Sequence, residues 1–107
     1  MRDVVILGST GSIGTQALDV VDRNRDRFRV VALSAGGGNV ALLADQARAF
    51  DVVVVGVADA AREDVLRAAL ADRGIAPKVL VGPEASTEIA GLRCDVVLNG
   101  MTGSIGL

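Results

Sequence analysis

The chain has 107 residues, half of them hydrophobic, with 11 basic and 13 acidic side chains and a formal net charge of −2. That length fits one domain with an ordinary core, and mixed charge with only two phenylalanines as aromatics excludes the basic stripe or aromatic platform of a nucleic-acid binder. Histidine, tyrosine and tryptophan are absent and there is a single cysteine, so histidine-based acid–base chemistry, metal-ligand spacings and an internal disulfide are excluded too.

The apolar runs are strand-sized, too short to span a membrane. Met1-Arg2-Asp3 enters the first strand directly, which is no signal peptide, and a lone cysteine suits a reducing compartment. A cytoplasmic protein is expected.

Val4-Val5-Ile6-Leu7 reads as the first strand. It runs into Gly8-Ser9-Thr10-Gly11-Ser12-Ile13-Gly14, with glycine at every third position. A helix is predicted over residues 12–23, with Ile13, Ala17, Val20 and Val21 on its buried face. Strand, glycine loop and helix together form the setting in which such a pattern binds phosphate. The glycines admit a ligand close to the backbone, and the helix start offers unpaired N–H groups and the positive end of its dipole. The spacing is G-x-x-G-x-x-G rather than the commoner G-x-G-x-x-G, and the same pattern also serves as a purely structural turn. Gly8, Thr10, Gly11, Ser12 and Ile13 are the candidate cofactor-binding residues of this loop, with Gly14 placed to let helix and strand pack closely.

After a polar turn at residues 24–27, Phe28–Ala35 is a second strand, continuous in apolar residues as in a sheet covered on both faces. An NAD-specific site carries an acidic residue about 20 positions past the glycine loop, to bind the ribose 2′-hydroxyl. Here that region reads Leu33-Ser34-Ala35-Gly36-Gly37-Gly38-Asn39, with no carboxylate to repel a 2′-phosphate. Ser34 and Asn39 can donate hydrogen bonds and the glycines expose N–H groups, so the loop leans towards NADP and adds Gly36, Gly37, Gly38 and Asn39 to the candidates. It contains no Arg or Lys. The competing reading is a plain connection with Asn39 as a helix N-cap.

Val40–Phe50 is the second helix, with Leu43, Ala47 and Phe50 as its buried stripe. Asp51 breaks it, and the third strand is placed at residues 52–55. Asp59 is expected to cap a helix running to Arg73, with Leu66, Ala69 and Leu70 inward and Gly74 at C′. Arg62, near its start, is the nearest candidate cation for a 2′-phosphate, although an ordinary surface charge is the preferred reading. A fourth strand Lys78–Val81, a short helix over residues 84–90 begun by Pro83, and a fifth strand over residues 95–99 complete the pattern. Cys94, beside Asp95, reads as a small hydrophobe and not a nucleophile. The pentapeptide Thr-Gly-Ser-Ile-Gly recurs at Thr102 to Gly106 after this last strand, so two glycine loops are expected to flank one crevice. The fold class is α/β: a Rossmann-like parallel sheet with helices on both faces, truncated after the fifth strand, its final residues resembling the start of another helix.

The nine residues Ile6 to Gly14, followed by Leu18-Asp19-Val20-Val21, closely resemble the opening of the 1-deoxy-D-xylulose 5-phosphate reductoisomerase family. Phe28-Arg29-Val30-Val31-Ala32-Leu33-Ser34-Ala35-Gly36 with Asn39, and the closing stretch Gly100 to Leu107, are similar to the same family. The resemblance implies an enzyme that isomerises its phosphorylated sugar substrate and reduces the product with NADPH, giving 2-C-methyl-D-erythritol 4-phosphate for non-mevalonate isoprenoid synthesis. It implies a Mg²⁺ or Mn²⁺ ion whose ligands lie outside this chain, and a homodimer at full length. It places the cofactor phosphates on the turn of Thr10, Gly11, Ser12 and Ile13, and the adenosine ribose with its 2′-phosphate at the loop of Gly36 and Asn39. Family members often carry Lys or Arg in that second loop, where Gly37 and Gly38 stand here. On this reading residues 1–107 are an incomplete NADPH-binding domain without catalytic residues, metal ligands or a C-terminal domain, and inactive alone. The alternatives are the cofactor domain of another NAD(P) oxidoreductase, such as a semialdehyde dehydrogenase, and a stand-alone nucleotide-binding module.

Overall fold

Apolar runs alternate with polar, glycine-bearing turns along the whole chain, and each run becomes a strand or the inner face of a helix. The computed structural model describes residues 2–92, 94–99 and 104–106. In order these form β1 (Arg2–Leu7), α1 (Ser12–Asp22), β2 (Phe28–Ala35), α2 (Val40–Phe50), β3 (Val54–Val57), a 3-10 turn (Ala60–Arg62), α3 (Glu63–Asp72), β4 (Lys78–Val81), α4 (Ala85–Ala90), β5 (Val96–Asn99) and β6 (Ser104–Gly106).

The strands lie in one sheet in the order β4-β3-β2-β1-β5-β6. The first five run parallel. The chain starts in the middle of the sheet, steps outward through β2, β3 and β4, then returns to the other side of β1 as β5. The strand order therefore reverses between β1 and β5, and a crevice at such a point is where open α/β sheets bind ligands. Leu7 pairs with Asn99 across that boundary, so the carboxyl ends of β1 and β5 lie side by side.

Helices cover both faces unequally. Leu18 and Val21 of α1, Leu43 and Ala47 of α2, and Leu66 and Leu70 of α3 join Ile6, Leu33, Val55 and Val57 in the larger core. On the opposite face Ile89 of α4 packs with Val5, Leu7, Ala32 and Val54. Cys94 is half-buried beside this smaller cluster. Burial first, and then the charge of Asp95, push its thiol pKa up. A thiol held protonated is a poor nucleophile, as expected from its position.

Four expectations need correction. The sheet does not end at its fifth strand: Ser104–Gly106 pairs antiparallel with β5, Asn99 opposite Ser104, instead of opening a helix. Backbone pairing along the outer edge of β5 satisfies groups that an edge strand leaves open. On α1 the buried residues are Gly14, Leu18 and Val21, whereas Ile13 and Val20 are 46% and 56% exposed. Gly14 sets this rotation, because it must face the loop. The third strand begins two residues later than the valine run suggests. Asp51 adopts the left-handed conformation (φ 51°) and the Val52 N–H closes the end of α2 on the Ala47 carbonyl at 3.2 Å. Val52 therefore belongs to the helix terminus and not to the strand. Finally, Asp59 caps the 3-10 turn, its Oδ1 accepting from the Ala61 N–H at 3.0 Å, and α3 begins only at Glu63. Gly74 takes φ +74° after α3, as expected.

Candidate functional site

The first loop is built from main chain. Gly8 turns the end of β1 with φ +71°, and the N–H groups of Gly8 and Ser9 both donate to the Ser34 carbonyl, at 2.8 and 2.9 Å. The Gly11 N–H returns to the Gly8 carbonyl at 3.1 Å, and the Thr15 N–H closes the first helical turn on Gly11. Gly11 is the N-cap and supplies no side-chain cap, and α1 has no acidic residue in its first turn. The N–H groups of Ser12, Ile13 and Gly14 thus precede any helical acceptor. They stand at the positive end of the helix dipole, where an anion is favoured.

Gly14 makes this geometry possible. A Cβ there would overlap the Gly8 carbonyl oxygen and lie 2.6 Å from Ser9 Cα. No residue but glycine lets α1 approach the loop so closely.

The second loop leaves β2 immediately after the Ser34 carbonyl that holds the first. Ties to one strand end therefore bring the two candidate groups together. Gly36, Gly38 and Asn39 are exposed, with open space where side chains would stand at Gly36 and Gly38. Gly37 is buried with φ +115°. Asn39 Oδ1 accepts from the Leu42 N–H at 3.1 Å, so the N-cap reading holds, and only the amide NH₂ end remains to donate. Ser34 departs from expectation: it is fully buried, so its hydroxyl cannot face a ligand over the loop. Its carbonyl anchors the first loop. The second Thr-Gly-Ser-Ile-Gly begins at Thr102 and Gly103, which lie outside the described residues.

One residue of the site escaped the sequence reading. Gln46, on the inner face of α2, donates from Nε2 to the Ser9 carbonyl at 2.8 Å in a buried contact. A polar residue three positions after Leu43 in an otherwise apolar stripe is the signal that marks it. The helix that Asn39 caps thereby reaches back to pin the first loop. Gln46 Oε1 and Ser9 Oγ are buried without protein partners. Replacing Gln46 with leucine strands the Ser9 carbonyl. It is expected to lower stability by about 1–2 kcal/mol, read as a shift in the denaturant midpoint at constant slope.

Among the described residues no group of three or more His, Cys, Asp or Glu side chains could hold a metal ion. No helix there is long and apolar enough to cross a membrane.

The family model for 1-deoxy-D-xylulose 5-phosphate reductoisomerase matches residues 4–107. The protein of that name from Streptomyces coelicolor is 60% identical over 113 residues, covering 99% of this chain and 26% of its own length. Its counterpart from Paenarthrobacter aurescens is 59% identical over 112 residues, covering 99% of this chain and 28% of its own. The solved structure of the Zymomonas mobilis reductoisomerase in complex with NADPH superposes with a TM-score of 0.82 at 38% identity, over 90% of this chain and 24% of that one. The chain spans about a quarter of the length of the relatives it matches. With the match running from the first strand to the last residue, the chain belongs to the 1-deoxy-D-xylulose 5-phosphate reductoisomerase family.

Proposed function

We propose that this chain is the NADPH-binding portion of a 1-deoxy-D-xylulose 5-phosphate reductoisomerase. The whole enzyme isomerises and reduces 1-deoxy-D-xylulose 5-phosphate to 2-C-methyl-D-erythritol 4-phosphate in non-mevalonate isoprenoid synthesis. The observation that carries the reading is the first loop: an uncapped helix N-terminus without acidic residues, brought close to β1 by a glycine that nothing larger can replace. Thr10, Gly11, Ser12 and Ile13 hold the cofactor's phosphates through backbone N–H groups. Gly8 shapes the turn beneath them. Gly36, Gly37, Gly38 and Asn39 enclose the adenosine ribose, and the loop's own lack of an acidic residue at the position that marks NAD-specific sites favours NADPH over NADH. A related structure carries NADPH, which supports the same assignment.

NADPH, when bound, supplies the hydride. This chain's residues bind and orient it and contribute no acid, base or nucleophile. Binding of the phosphorylated sugar, the Mg²⁺ or Mn²⁺ ion and the homodimer contacts fall to other parts of the intact enzyme. A structure of a relative contains magnesium, while the described residues here do not fit one. The reading includes a cytoplasmic location and residues 1–107 as one cofactor domain. The semialdehyde dehydrogenase alternative finds no support in the family match.

Parallel titrations of the chain with NADPH and NADH, following nicotinamide fluorescence, test this. Without tryptophan the protein adds almost no background. Clear NADPH binding with weaker NADH binding is expected. A chain folded by circular dichroism that ignores both nucleotides would overturn the cofactor assignment.

A further inference from the structure

The second loop has no cation of its own, yet a 2′-phosphate carries up to two negative charges and is best met by a guanidinium. Among the described residues, the other cations are paired or distant from this loop. Arg23, Arg25, Arg29, Arg67 and Arg73 are each paired with a carboxylate at 2.7–3.0 Å. Arg2, Arg27 and Lys78 stand at the starts of β1, β2 and β4, the opposite edge. Arg48 is in the last turn of α2, remote from the loop at its first.

Arg62 differs. Its stem lies against the second loop: Arg62 Cγ is 3.2 Å from where a Cβ on Gly37 would stand, with Asp59 Cβ at 3.1 Å. The Asp59 N–H donates to the Gly36 carbonyl at 3.1 Å, and the Arg62 N–H to the Asp59 carbonyl at 3.0 Å. The 3-10 turn is thus fastened to the loop through main chain. Arg62 itself is exposed.

The carboxylates on either side of Arg62 in sequence, Asp59 and Glu63, have other partners. Asp59 Oδ1 accepts from the Ala61 N–H, and Glu63 is held by Arg67 Nε at 2.8 Å. Neither is committed to neutralising Arg62, and no ion pair or side-chain hydrogen bond of Arg62 occurs among the described residues.

We propose that Arg62, reaching over Gly37 from the turn after β3, is the specificity-determining cation that reads the 2′-phosphate of NADPH. The inference rests on the NADPH reading above and replaces a cation within the second loop by one brought to it from the neighbouring strand. Gly37 itself takes φ +115°, which favours glycine, and a Cβ there would crowd Asp59, Arg62 and Val57 at 3.1–3.3 Å.

The test measures NADPH and NADH affinities for the 107-residue chain and for Arg62→Ala, Arg62→Lys and Arg62→Glu, at two salt concentrations. Arg62→Ala is expected to weaken NADPH binding by at least about tenfold, the scale of a lost charge-assisted contact, and to leave NADH binding unchanged. Arg62→Lys retains most of the preference, and Arg62→Glu reverses it. The salt dependence of NADPH binding falls in the alanine variant. NADPH affinity unchanged in Arg62→Ala, or equal losses for both nucleotides, overturns the role of Arg62 while a wild-type preference for NADPH keeps the cofactor reading intact. A folded wild-type chain that binds neither nucleotide overturns both.

Discussion

Gly14→Ala is expected to destabilise the fold by about 3 kcal/mol and to weaken NADPH binding by well over tenfold. Two effects oppose each other. Alanine is the better helix former by about 1 kcal/mol, and α1 would gain from it. Against this, the new methyl would overlap the Gly8 carbonyl oxygen and sit 2.6 Å from Ser9 Cα and 2.9 Å from the Gly8 carbonyl carbon. All three are backbone atoms, in a loop fixed by the Ser34 carbonyl and by Gln46. No side chain can swing aside, so either the helix lifts from the sheet or the loop loses its shape. Both disperse the N–H groups at the start of α1, and the affinity falls with the stability. Gly11→Ala is the control. Its Cβ would meet only the Gly8 carbonyl oxygen, at an ordinary 3.5 Å, and its cost should stay within about 1 kcal/mol. Urea titrations of both variants, followed by NADPH titrations, check this. A Gly14→Ala protein that unfolds at the wild-type midpoint would falsify the close approach.

The second large effect lies in the core. Leu33 is fully buried in β2, whose neighbours β1 and β3 flank it, and packs in the cluster that includes Ile6, Leu43 and Val55. Leu33→Ala removes three carbons from a site walled by strands that cannot collapse inward. A loss of about 3 kcal/mol is expected, a large share of a stability that for such domains totals about 5–15 kcal/mol. The melting temperature should drop by roughly 12–24 °C. Val53→Ala, at an exposed position, should change stability by less than about 0.5 kcal/mol. Similar melting curves for the two variants would mean that the core is not where the sheet places it.

The sequence made most of the architecture legible because punctuation and period agree. β2, α2 and β4 fall on their expected boundaries, each bracketed by polar turns, an N-cap, a proline or a glycine. Where one local signal stood alone, a distant contact decided. Four consecutive valines carry no information about which of them starts β3, and the left-handed Asp51 settled it by using Val52 to end α2. Hydrophobicity placed Ile13 and Val20 on the inner face of α1. The requirement that Gly14 meet the first loop turned the helix and exposed them. The same tripeptide Ser-Ile-Gly begins a helix at Ser12 and pairs as a strand at Ser104–Gly106, so its fate is set by what lies beside it.

The candidate site was legible in its glycines and in Asn39, because backbone approach demands those residue types. Gln46 was not, since nothing local says that an amide in the middle of α2 will reach a carbonyl 37 residues earlier. Ser34 was assigned to the loop surface by its chemistry. Its position on the strand instead turned its side chain inward and left its carbonyl as the useful group.

That carbonyl separates what must stay fixed from what is free to change. The Ser34 carbonyl grips the first loop through the N–H groups of Gly8 and Ser9, out of solvent, so this grip does not depend on which side chains decorate the rim. Of the groups proposed to distinguish one cofactor from another, Gly36, Gly38, Asn39 and Arg62 are exposed and Gly37 is buried. On that proposal, nucleotide preference can be rewritten at the rim by surface substitutions, without disturbing the anchor of the loop proposed to seat the pyrophosphate. A change of cofactor in this lineage is a short walk across the surface and not a rebuilding of the fold.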